Sequence, residues 1–65
     1  MKTHYDTEVD ALYLRFADAP VNDSEEVRPG IIFDYDADGR IVAVEILDAT
    51  EHLASGADLS KLVAA

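Results

Sequence analysis

The sequence contains no cysteine. No disulfide can staple the fold, and no thiolate can ligate a metal or attack a substrate. Tryptophan is also absent, and positive charge is scarce: five Lys and Arg stand against fourteen Asp and Glu, a net charge of −9. That balance repels nucleic-acid phosphates and anionic membrane surfaces and favours a cation or a basic protein partner. No apolar run approaches the roughly 20 residues of a spanning helix. The opening MKTHYDTEVD lacks the apolar stretch of a secretory signal, so a cytoplasmic location is the expectation. Glycine-rich phosphate loops and nucleophile elbows are missing as well. With 65 residues, a chain of this size buries only about 60% of its unfolded surface, which makes it marginal alone and raises the expectation of a homodimer.

What is present is a hairpin. Gly30 to Leu47 reads GIIFDYDADGRIVAVEIL, two apolar runs around an acidic turn. An Asp-Gly pair between alternating apolar runs is a strong hairpin signal. A two-residue Asp38-Gly39 loop predicts Ile31 opposite Ile46, Phe33 opposite Val44, Asp34 opposite Ala43, Tyr35 opposite Val42 and Asp36 opposite Ile41. Side chains alternate along a strand. One face then collects Ile31, Phe33, Tyr35, Val42, Val44 and Ile46, and the other Ile32, Asp34, Asp36, Ile41, Ala43 and Glu45. The second face keeps Ile32 and Ile41, apolar area for a partner to cover.

Around this centre, Lys2 to Asp6 and Ala11 to Phe16 read as a first hairpin, with Leu12, Leu14 and Phe16 alternating against Tyr13 and Arg15. Glu25 to Arg28 reads as a charged edge strand, and Pro29-Gly30 as a type II turn feeding the centre. After Leu47 the pattern becomes helical. Asp48 with Glu51 resembles a capping box for a helix ending near Ser55 and Gly56. A last turn or two after Asp58 would place Leu59, Leu62 and Val63 on one face. The predicted fold is a single α+β domain over 1–65: an antiparallel β-meander of four to five strands over about 2–47, then one or two short helices over about 48–64.

Asp34 to Glu45, DYDADGRIVAVE, satisfies the pattern of an EF-hand calcium loop. The loop needs a flanking helix on each side. Here Pro29-Gly30 breaks the entering segment and both flanks have strand periodicity. On a hairpin, Glu45 would lie roughly 10 Å from Asp36, too far to close a cage. The remaining metal candidates are Asp34, Asp36 and Asp38, as a low-affinity calcium or other divalent-cation site at the hairpin tip. His4 and His52 are the two histidines, far apart and without metal-ligand spacing. Either, beside a carboxylate, would be the starting point for a small enzyme with a site at a dimer seam. No catalytic constellation singles one out. Exposed Tyr and Arg are enriched at interfaces, so Tyr13, Arg15, Ile32 and Ile41 are the candidate interface residues.

Taken together, YDTEVDALYLRF and EEVRPGIIFDYDADGRIVAVEILDAT resemble a family of small prokaryotic proteins, domain of unknown function 2283. The matching elements are Tyr5-Asp6, Asp10-Ala11-Leu12-Tyr13, Glu25-Glu26, Gly30, Asp34-Tyr35-Asp36 with Gly39, and Glu45 to Ala49. The resemblance runs from about Tyr5 to Leu53, leaving 54–65 outside it. It implies a compact β-meander with a C-terminal helix and no activity or cofactor. By analogy with members that sit beside small toxin-like proteins, it implies an antitoxin-like regulator that binds a partner. The functional expectation is a small acidic protein-interaction module, with cation binding as the alternative.

Overall fold

The computed structural model describes residues 1–62. Five strands form one antiparallel sheet: β1 (Lys2–Asp6), β2 (Ala11–Arg15), β3 (Asp23–Arg28), β4 (Ile31–Tyr35) and β5 (Ile41–Ile46). A four-residue helix, α1 (Ala49–His52), and a 3-10 turn (Leu59–Leu62) follow. This is the α+β architecture expected. The meander is built as two consecutive runs, β1–β2 and β3–β4–β5. They join where β5 lies against β2, giving the order β1-β2-β5-β4-β3. The 16–22 connection therefore runs from the centre of the sheet to its far edge.

The central hairpin keeps the expected register from Ile31 opposite Ile46 to Asp34 opposite Ala43. It departs from expectation at the turn. The Gly39 amide donates to the Asp36 carbonyl (3.0 Å) and the Asp36 amide to the Arg40 carbonyl (2.9 Å). The loop is thus the three residues Ala37, Asp38 and Gly39, with Gly39 alone at positive φ (+80°). A type I turn closed by a left-handed glycine is the common three-residue hairpin. Asp36 favours it, because its carboxylate accepts from the Asp38 and Arg40 amides at 2.9 Å each. The extra loop residue is absorbed by a bulge, so Tyr35 faces Ile41 instead of Val42. Val42 and Ala43 are consequently both buried, at 1% and 0% exposure.

Paired residues share a face of the sheet. One face carries the rows Tyr5–Leu12–Ile46–Ile31–Arg28 and Thr3–Leu14–Val44–Phe33–Glu25. Tyr5, Leu12 and Ala49 form the buried cluster there, with Leu14, Ile46, Leu53 and Leu59 packed against it. The other face carries His4–Tyr13–Glu45–Ile32–Glu26 and Lys2–Arg15–Ala43–Asp34–Ser24.

The helix is shorter than expected and is capped from elsewhere. Asp48 adopts a left-handed conformation (φ 50°, ψ 50°) and its side chain makes no capping bond. Asp10, in the β1–β2 turn, caps instead. Its carboxylate accepts from the Thr50 amide (3.1 Å) and hydroxyl (2.6 Å), and from the Tyr5 hydroxyl. The Asp10 carbonyl accepts the Ala49 amide at 2.8 Å. Leu53 then turns extended and packs on the core cluster, ending the helix at His52 rather than Ser55. Val63, expected on the apolar face of the last turn, lies outside the described residues.

Candidate functional site

The helical segment covers only part of the first face. It closes over the Tyr5–Leu12 end and leaves the other end open. Leu14, Val44 and Phe33 stay half-buried. Phe16, continuing the alternation of Leu12 and Leu14, is 46% exposed, and Ile41 is 44% exposed. The bulge is what brings Ile41 here, opposite Tyr35, whose other neighbour is Asp23. The Phe33 and Tyr35 rings meet edge to face, with centroids 6.4 Å apart. The Tyr35 hydroxyl donates to Glu25 at 2.9 Å, and that bond holds the phenol above its usual range. At the same end, Asn22, Asp23, Tyr35, Asp36, Ala37 and Gly39 line a shallow groove of about 320 Å³. An open apolar strip therefore ends in an acidic groove.

The second face is polar and more tightly engaged. Arg15 donates to the Tyr13 hydroxyl (3.1 Å) and to the Ala19 carbonyl (2.7 Å). Asp34, 6% exposed, accepts from the Ser24 hydroxyl at 2.6 Å. Glu45 lies diagonally beside it. Burial, the Asp34 charge and a hydrogen bond to Asp34 together raise the Glu45 carboxyl above its usual range. The Glu45 carboxyl thus keeps its proton to higher pH than a lone glutamate would. Sequence alternation places both residues on one face, and the β4–β5 pairing brings them side by side.

The candidate interface residues divide between the faces. Tyr13, Arg15 and Ile32 share the polar face, while Ile41 stands on the apolar one. The acidic hairpin tip also separates. Asp34 points to Ser24 on the sheet and Asp36 is turned to its own loop amides. Among the described residues, no three His, Cys, Asp or Glu side chains gather in a way that would hold a metal ion. The EF-hand-like stretch is two strands and a tight loop, without the helices such a loop requires. His4 pairs with Tyr13 on β1, whereas His52 ends α1 and sits over Gly30. Phe16 was legible in the alternation of β2, and its exposure is decided by where the helix stops.

These features define a small acidic sheet domain with one half-covered apolar face. The chain belongs to the protein family of unknown function DUF2283, whose sequence pattern it matches over residues 2–49. That span takes in all five strands and the first residue of α1. No curated protein and no solved structure matches it. No helix among the described residues is long and apolar enough to cross a membrane.

Proposed function

We propose that this protein is an interaction module that binds another protein through the open half of its apolar face. The observation that carries this reading is the placement of Phe16 and Ile41, about half exposed, beside half-buried Leu14, Phe33 and Val44. Contiguous apolar surface rimmed by polar groups is typical of docking sites. The rim chemistry favours a basic partner: Asp23, Glu25 and Asp36 lie along the strip on a chain of net charge −9. A segment with apolar side chains and neighbouring Lys or Arg would satisfy both parts, and opposite charge would speed the encounter. An antitoxin-like regulator that occupies a basic protein is one such role.

Native mass spectrometry of the protein recovered from its host tests this, with wild type compared to Phe16→Glu and Ile41→Glu. A basic polypeptide should accompany the wild type and be lost from both variants. A Tyr13→Ala control on the opposite face should retain it. A partner held equally by all four proteins would refute the assignment of this face.

A further inference from the structure

The sheet ends in two strands of opposite character, β3 and β1, neither paired on its outer side with another strand among the described residues. β3 carries Asp23, Glu25 and Glu26 against Arg28, and its register is broken by a bulge between Glu26 and Arg28. Acidic side chains and a bulge both discourage pairing with another strand. β1, at the other edge, is regular: all five of its residues pair with β2 without a slip. Its outward backbone groups offer a template for another strand.

The order of residues in β1 makes that edge self-complementary. Lys2, His4 and Asp6 alternate onto the polar face. In an antiparallel pair of β1 strands centred on His4, Lys2 of each copy lies opposite Asp6 of the other. Thr3 lies opposite Tyr5, and His4 opposite itself. Lys2 forms no ion pair among the described residues. Leu59 of the 3-10 turn packs against Tyr5 and Leu12, on the face away from Lys2, His4 and Asp6. On a chain with net charge −9, self-association through most surfaces is opposed by repulsion. β1 has one cation and one anion, placed so that a two-fold axis matches them.

We infer that β1 is a homodimerisation edge, joining two copies into a continuous ten-stranded sheet with reciprocal Lys2–Asp6 pairs. The edge lies across the sheet from the acidic β3 side, so the dimer and the partner-binding face can be occupied together and fail separately. The interface is small, so the dimer should be weak and fast-exchanging.

A charge swap tests the pairing. In Lys2→Glu, two Glu–Asp contacts replace the pairs. In Asp6→Lys, two Lys–Lys contacts do so. Each variant alone should dimerise on the order of thirty-fold more weakly than wild type. Mixed one to one, the two variants regain both opposite-charge pairs and should form a heterodimer. Sedimentation velocity up to roughly 1 mM, with native mass spectrometry to distinguish the chains, reads all three states. Asp6 also accepts the Glu8 amide at 3.0 Å. Should Asp6→Lys fail to fold, Lys2→Glu against Lys2→Arg keeps the test, with only the arginine variant expected to dimerise like wild type. A monomeric wild type, single variants that dimerise as wild type does, or a mixture of folded variants that stays monomeric would each overturn the inference.

Discussion

Replacing Gly30 by alanine tests how closely the turn, the helix end and the chain between them are built together. Gly30 holds φ +85°, a region where an L side chain costs roughly 1–2 kcal/mol. An added Cβ would also lie 3.0 Å from His52 Nε2 and 3.3 Å from the Leu47 carbonyl oxygen. The imidazole is exposed and can swing aside. The carbonyl has less freedom, because the Leu47 amide donates to the Gly30 carbonyl at 2.7 Å and ties the two residues together. Overpacking of this kind adds about 1–3 kcal/mol, so Gly30→Ala should lose about 2–5 kcal/mol in total. Gly39 and Gly56 supply the controls. They hold φ +80° and +92° with nothing within 4 Å of an added Cβ, so alanine there should cost the conformational part alone. A domain of this size has roughly 3–10 kcal/mol to lose, and each kcal/mol moves its Tm by about 4–8 °C. The crowding part alone, about 1–3 kcal/mol, should therefore make Gly30→Ala melt roughly 4–24 °C below Gly39→Ala, measured by far-ultraviolet circular dichroism with urea titrations alongside. Adding His52→Ala to Gly30→Ala should recover little, since the Leu47 carbonyl has less freedom to give than the imidazole. Equal melting of the Gly30 and Gly39 variants would refute the crowding argument, and full recovery in the double variant would shift its cause to His52.

Two further predictions concern protons. Glu45 has its carboxyl raised above its ordinary value of 4.5, chiefly by burial and then by Asp34. Its contribution is complete below that value and is lost as pH rises through the folded-state pKa. Glu45→Gln should remove this slope and be relatively more stable than wild type at pH 7 than at pH 4; urea midpoints that fall in parallel for both proteins would contradict a raised Glu45 carboxyl. Asp10 is shifted the other way, held below 3.8 first by the Thr50 hydroxyl bond and then by Tyr5. The stability it adds is present above 3.8 and lost as pH falls through its lower folded value. Asp10→Asn should unfold more easily than wild type at neutral pH, exchange its Thr50 amide faster, and lose that difference in strong acid. A difference that persists unchanged at pH 2 would rule out the charge as its source.

Local chemistry made much of the fold legible. The period-two alternation of IIFDY and IVAVEI, with Asp and Gly between them, set a hairpin and most of its register, because side-chain period and turn residues act over a few positions. Pro29-Gly30 likewise determined a turn, and Gly30 holds the positive φ such a turn needs. The net charge of −9 is likewise a property of the sequence, whatever its fold.

Other features were decided by which hydrogen bonds and contacts the folded chain makes. Whether the loop holds two or three residues depended on Asp36 accepting two amides. The resulting bulge buried Val42 beside Ala43 and carried Ile41 to the apolar face. The capping pattern at Asp48 was locally reasonable, yet Asp10, 40 positions before Thr50, took the role. No local pattern can report a bond across that separation. The raised Glu45 carboxyl, the exposure of Phe16 and the pairing of β5 with β2 have the same origin. Each depends on how close two segments come once the sheet has closed and the helix has stopped, and that distance is a property of tertiary packing alone.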